Sequence, residues 1–129
     1  GPADPLLAIT HNNLGNMDKE TFKRKYTQLL YILKGGEYRN VISCTLPWTG
    51  QGTDTDAYAR ALEFNDVIAT VTPALDYIVA DCWDATVGHY EYLSDIDGFH
   101  PNSKGHRAIA DAILKVVIRP VHWLPDVRR

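Results

Sequence analysis

The sequence predicts an α/β fold, a parallel sheet with helices against both of its faces. Three observations predict it. Short, largely apolar runs at residues 6–10, 41–46 and 77–80 read as strands, and they alternate with longer stretches of helical period. The run at residues 6–10 is continuously apolar, which marks a strand buried on both sides. The order strand–helix–strand–helix–strand–helix is the one that builds a parallel sheet.

Taken in order, residues 6–10 are the first strand and residues 11–16 a polar loop at its carboxyl end. Asp18 stands at a helix N-cap, ahead of Phe22, Tyr26, Leu29, Leu30 and Leu33 at helical spacing, and Gly35-Gly36 ends that helix. Residues 41–46 are the second strand, closed by Pro47. A polar loop over 48–55 leads to a helix over 56–72, with Ala57, Ala61, Phe64, Ile68 and Val71 on one stripe and Pro73 as its stop. Residues 77–80 are the third strand and 81–96 a second long loop. A final helix carries Ile109, Ala110, Ile113, Leu114 and Val117 on one face. Residues 120–125 are apolar and broken by Pro120 and Pro125, so the domain is placed over 1–119 and a tail over 120–129. Ligands of such sheets bind beyond the carboxyl ends of the strands, a rim that the loops 11–16, 48–55 and 81–100 share.

Composition sets the bounds. A chain of 129 residues, 45% hydrophobic and 22% charged, is long enough for a single domain with a real core. Its formal net charge of −3 offers no basic field for nucleic acid. No apolar run approaches the ~20 residues of a membrane span, and no secretory leader opens the chain. Gly1-Pro2 reads as a pair left by tag cleavage. Cys44 and Cys82 fall near the ends of neighbouring strands. A disulfide between them and a pair of buried thiols are both open, and the lack of a cysteine-rich framework favours the thiols.

The chemistry concentrates in residues 97–106. Asp97 and His100 sit three apart in a loop loosened by Gly98 and closed by Pro101, feeding a helix capped by Asn102 or Ser103. A carboxylate at that distance can fix the tautomer of an imidazole and stabilise the imidazolium formed when it takes a proton. The same spacing also fits a polar turn ahead of a capped helix.

Asp97-Gly98-Phe99-His100-Pro101-Asn102, followed by Gly105 and an apolar helix, resembles the last sequence block of the SGNH hydrolases, the GDSL-type esterases and lipases. Residues 6–15, Leu-Leu-Ala-Ile-Thr-His-Asn-Asn-Leu-Gly, are similar to the apolar strand ending in G-x-N-D that forms that family's third block. Thr10 stands where the family has Gly, and Asn13 where it has Asp. The resemblance implies a flavodoxin-like three-layer sandwich, here without its first strands. It implies His100 as catalytic base, Asp97 as the acid that orients it, and Asn12 as an oxyanion-hole donor. The activity implied is ester hydrolysis on an acyl or carbohydrate ester, deacetylation included, with no cofactor.

The family's G-D-S motif and second block have no counterpart in this sequence, and there is no G-x-S-x-G elbow. Of the three serines, Ser43 lies mid-strand, Ser103 at a cap and Ser94 in a loop before Asp97. The serine is therefore expected from outside the chain, on an upstream segment or another polypeptide. The expected partners are an ester or acylated-carbohydrate substrate, that serine-bearing segment, and a second copy through the strand at residues 6–10. Trp48, Trp83 and Asn13 are candidate substrate contacts, although aromatic residues in rim loops serve equally as anchors. Asp95, Asp97, His100 and His106 offer metal-ligand types, but the reading as acid and base already uses two of them, and no metal is expected. A different class of function stays open: a non-catalytic binding or assembly module derived from the same fold, which Thr10 and the missing serine favour.

Overall fold

In the computed structural model the described residues are 6–7 and 17–127, with side-chain surroundings for 17–117. The elements are β1 (Leu6–Leu7), α1 (Lys19–Gly35), β2 (Ile42–Cys44), α2 (Asp56–Ala74), β3 (Ile78–Ala80), α3 (Cys82–Thr86) and α4 (Ser103–Val127). A 3₁₀ turn at Tyr90–Tyr92 lies between α3 and α4. All three strands are parallel in the order β1-β2-β3, with Leu6 opposite Ile42 and Cys44 opposite Ala80.

Alternation along the strands divides the core. Val41 and Tyr77 face α1 and α2, where Phe22, Tyr26, Leu30, Phe64 and Ile68 fill the space. Ile42, Cys44 and Ala80 face α4, meeting Ile109, Ala112, Ile113 and Val116. This is the expected α/β arrangement, with helices on both faces. Phe22 stacks on Phe64 with ring centroids 4.2 Å apart, and Lys19 pairs with Asp66 at 3.1 Å, so α1 and α2 join through both core and rim.

Local signals set most helix ends. The Asp18 carboxylate accepts from Thr21 N–H at 2.7 Å, and Thr55 Oγ1 accepts from Tyr58 N–H at 3.1 Å, each satisfying an amide that the first turn leaves open. Several boundaries differ from the sequence reading. Pro73 lies inside the last turn of α2 rather than ending the helix, which closes when Asp76 takes φ 62° and donates to Pro73 C=O. The loop expected over 81–96 contains α3 and the 3₁₀ turn. The Asp81 carboxylate caps α3 by accepting from Asp84 N–H at 3.0 Å, a signal that five residues of helix gave no periodicity to reveal. α4 runs on through Pro120 and Pro125 to Val127, where a separate tail was expected from residue 120. A proline removes one intrahelical donor and bends a helix without having to end it.

Candidate functional site

The segment between β3 and α4 carries the Asp97–His100 turn, and hydrogen bonds fold it back on itself. Leu93 and Pro101 form an antiparallel bridge. Ser94 N–H donates to His100 C=O at 2.8 Å, Gly98 N–H to Ser94 C=O at 2.8 Å, and Asn102 N–H to Tyr92 C=O at 2.9 Å. Residues 94–101 are thus a closed loop whose base rests on the 3₁₀ turn and on the start of α4. Gly98 adopts φ 64°, the left-handed conformation that glycine takes without strain.

Within that loop Asp97 and His100 are in direct contact. His100 Nδ1 lies 2.5 Å from Asp97 Oδ2, and Asp97 Oδ1 accepts from the backbone N–H of Phe99 at 2.9 Å and of His100 at 3.0 Å. The His100 ring, followed by those two amides, holds the Asp97 carboxyl down at about 2, so it is ionised at neutral pH. An ionised carboxylate only accepts, so Nδ1 carries a proton, and in the neutral ring the lone pair is on Nε2. The His100 side chain is 70% exposed and Phe99 stands edge-on to its ring at 5.0 Å. An oriented, solvent-facing imidazole whose Nε2 has no hydrogen-bond partner among the described residues is equipped, when neutral, to accept a proton from a hydroxyl.

The loop after β2 supports the turn. Gly50, at φ 89°, lies so close to the Gly98 carbonyl that a Cβ would sit 3.1 Å from the oxygen. Trp48 is 5% exposed, donates its indole N–H to Gln51 C=O at 2.9 Å, and meets Tyr90 edge-on. Its backbone N–H donates to Thr86 Oγ1 at 2.9 Å. Trp83 is half-buried and packs edge-on against Tyr58. Trp48 thus ties the 48–55 loop to α3, and Trp83 ties α3 to α2. Thr45 extends this network: its hydroxyl donates to Asp81 Oδ1 at 3.0 Å and accepts from Trp83 N–H at 2.9 Å.

Asn12 and Asn13, read from the sequence as oxyanion donor and substrate contact, lie outside the described residues, as does Thr10. Two of the three serines are occupied structurally. Ser43 is fully buried, with its hydroxyl 2.5 Å from Tyr26 Oη, which also lies 2.6 Å from Thr72 Oγ1. Ser94 Oγ accepts from Ile96 N–H at 3.1 Å. Ser103 is exposed and is the first residue of α4. Cys44 and Cys82 are buried free thiols. Hydrogen bonding to Cys44, together with burial, pushes the Cys82 thiol far above its ordinary range. Among the described residues no three His, Cys, Asp or Glu side chains gather where a metal ion could sit, and no helix is long and apolar enough to cross a membrane.

Sequence reasoning missed two features. The contact of Gly50 with Gly98 joins two loops far apart in the chain, for which the only local signal was a glycine in each. Asn102, read as a helix cap, also donates both amide hydrogens, to Glu91 C=O at 2.8 Å and Leu93 C=O at 3.0 Å.

Comparison with solved structures places the chain among esterase and acylhydrolase folds. It is similar to the esterase domain of the ZfL2-1 ORF1 protein from the zebrafish ZfL2-1 retrotransposon, with TM-score 0.66 and 20% identity, over 86% of this chain and 70% of that one. It is similar to LAE5, an α/β hydrolase enzyme from the metagenome of Lake Arreo in Spain, with TM-score 0.73 and 21% identity, over 87% of this chain and 58% of that one. A third similar structure is the lipase/acylhydrolase from Enterococcus faecalis, with TM-score 0.65 and 24% identity, over 79% of this chain and 52% of that one. The fold is one that these hydrolases share. The chain spans little more than half the length of two of them. No protein-family profile and no curated protein matches the sequence.

Proposed function

We propose that this chain is the acid-and-base part of a serine esterase, the carboxyl-side portion of a flavodoxin-like three-layer SGNH domain whose nucleophilic serine lies outside these residues. The observation that carries the reading is the Asp97–His100 contact, an oriented imidazole on a closed loop at the carboxyl edge of the sheet. The esterase-type folds to which the chain is similar support it.

In this mechanism His100 Nε2 takes the proton of the serine hydroxyl as its oxygen attacks the ester carbonyl. Asp97 keeps the proton on Nδ1 and stabilises the imidazolium that forms. Asn12 donates to the oxyanion of the tetrahedral intermediate, a contact typically worth ~3 kcal/mol in barrier height. The alcohol leaves with the proton held on Nε2, and a water deprotonated by His100 then releases the acid and restores the serine. No cofactor takes part. Substrates are acyl esters, with acylated carbohydrates as one class to assay.

The second reading, a binding or assembly module that keeps the fold without turnover, is favoured by Thr10 and by the structural engagement of Ser43 and Ser94. One experiment separates the two. The chain alone and the chain joined to its serine-bearing segment are each incubated with a fluorophosphonate probe and an activated acyl ester. The esterase reading expects labelling and turnover only in the joined form. Inactivity of both forms supports the binding module, and stoichiometric labelling of the chain alone would point to a nucleophile within it, with Ser94 first to be mutated.

A further inference from the structure

We infer that Asn102 is a positioning residue for the Asp97–His100 pair, acting through the carbonyls of Glu91 and Leu93 that frame the base of the turn. This rests on the reading of the pair as acid and base.

The His100 side chain is largely exposed, so packing does not hold it; its place is set by Asp97 and by the backbone of residues 94–101. A loop of that kind is only as rigid as its base. Two backbone bonds close the base, from Ser94 N–H to His100 C=O and from Asn102 N–H to Tyr92 C=O. The Asn102 carboxamide adds three more. Nδ2 donates to Glu91 C=O and to Leu93 C=O, while Oδ1 accepts from Gly105 N–H at 3.0 Å. One side chain therefore joins the 3₁₀ turn, the Leu93–Pro101 bridge and the first turn of α4.

Capping alone does not ask for this residue. Asp, Ser and Thr cap a helix about as well as Asn, but none has two donors beside an acceptor. The two donated bonds are what Asn102 supplies beyond the cap. Gly105 makes the reach possible. A Cβ there would strike the Tyr92 carbonyl and lie 2.9 Å from Pro101 Cβ, so α4 and the 3₁₀ turn meet with no side chain between them. If the Asn102 donors are removed, the carbonyls of Glu91 and Leu93 must turn to water and the base opens. The first consequence falls on Asp97, whose oxygens are held by the ring and the two amides of that same loop.

The test follows the Asp97 side-chain carboxyl by ¹³C NMR through an acid titration of the 129-residue chain, in Asn102→Ser, Asn102→Asp and, as a control, Ser103→Ala. Both Asn102 variants keep a capping oxygen, and circular dichroism reports whether α4 persists. The wild-type midpoint is expected near 2. Both Asn102 variants are expected to raise it toward the ordinary carboxylate value of ~3.9, with Ser103→Ala unmoved. Asn102→Asp adds a charge of its own, so it is also titrated at high salt, where that charge is screened and a lost geometry is not. It keeps a strong cap and so holds the question open to measurement should Asn102→Ser lose the helix. In the serine-bearing form, Asn102→Ser should lower kcat by up to about 10²-fold with KM little changed, the signature of a misplaced group rather than a lost binding contact. A midpoint that stays near 2 in a folded Asn102 variant overturns the inference. The titration needs neither serine nor ester, so failure of the esterase reading, seen as absence of hydrolysis in every form, is distinguished from failure of the positioning by Asn102, seen in the midpoint.

Discussion

Asp97 holds His100 twice, by its ring at 2.5 Å and by its own backbone N–H at 3.0 Å. A single carboxylate thereby sets both where the imidazole sits and which nitrogen carries the proton. In the serine-bearing enzyme, His100→Ala is expected to abolish turnover. Asp97→Asn should lower kcat by about 10⁴-fold, the cost of a wrong tautomer in a Ser-His-Asp triad, while circular dichroism stays that of the wild type. Near-normal kcat in Asp97→Asn would show that the carboxylate only shapes the turn.

The same contact makes stability depend on acidity in a definite direction. The folded Asp97 carboxyl is held at about 2, below the ~3.9 of an unfolded chain. A depressed pKa contributes stability that is fully present above the unfolded value and is lost as pH falls through the folded one. Melting temperatures of wild type and Asp97→Asn should therefore differ at pH 6, converge between pH 4 and 2, and differ less in high salt because the pair is exposed. A gap that persists unchanged at pH 2 would assign the difference to the amide bonds instead.

Ser43 offers a contrast between chemistry and architecture. Its hydroxyl joins Tyr26 and Thr72 in a buried polar cluster between β2, α1 and α2. Tyr26→Phe leaves two buried hydroxyls without this partner and should cost about 1–3 kcal/mol in urea unfolding. Ser43→Ala removes one member while Tyr26 keeps Thr72, so a smaller loss is expected and no loss of esterase turnover. Abolished turnover in a stably folded Ser43→Ala would mean that this hydroxyl is reachable after all.

Much of this was legible in the sequence, for physical reasons that differ by element. Phe22, Tyr26 and Leu30 announced α1 because a helix packed on one side must repeat its apolar residues at helical spacing, and Asp18 announced its start because open amides need an acceptor. Asp97 and His100 were legible because three residues of chain cannot keep them apart once Pro101 and Gly98 bend it. α3 was not legible. Five residues make barely more than one turn, and what holds it is Thr45, a residue just beyond β2 and far away in the chain. The second role of Asn102 was hidden for a similar reason: a cap is a local pattern, whereas bonds to Glu91 and Leu93 depend on where the chain has been folded back to.

Asn12 is tested by kinetics alone. An oxyanion donor strengthens its bond only as charge develops, so Asn12→Ala in the serine-bearing enzyme should lower kcat by 10²- to 10³-fold with KM nearly unchanged. Unchanged kcat would make Asn12 a turn residue, a role for which asparagine is also suited.

The sheet itself yields the last prediction. Among the described residues β1 pairs only with β2, so its outer edge carries backbone N–H and C=O groups that no strand satisfies. Parallel sheets are ordinarily covered on both faces, and natural proteins shield such edges. On the face toward α4, Ile42 is half-buried, and Leu114 and Val117 of α4 are exposed. A further strand paired with β1 would satisfy that edge. The chain purified alone is therefore expected to self-associate, with the apparent mass in light scattering rising as concentration is raised through the micromolar range. Adding the serine-bearing segment should compete for the same edge, return the mass to that of a one-to-one complex, and slow hydrogen exchange of the Leu7 amide. A chain that stays monomeric at ~100 μM with the Leu7 amide already protected would mean that this edge is covered from within, and the search for the serine would have to turn to a surface other than β1.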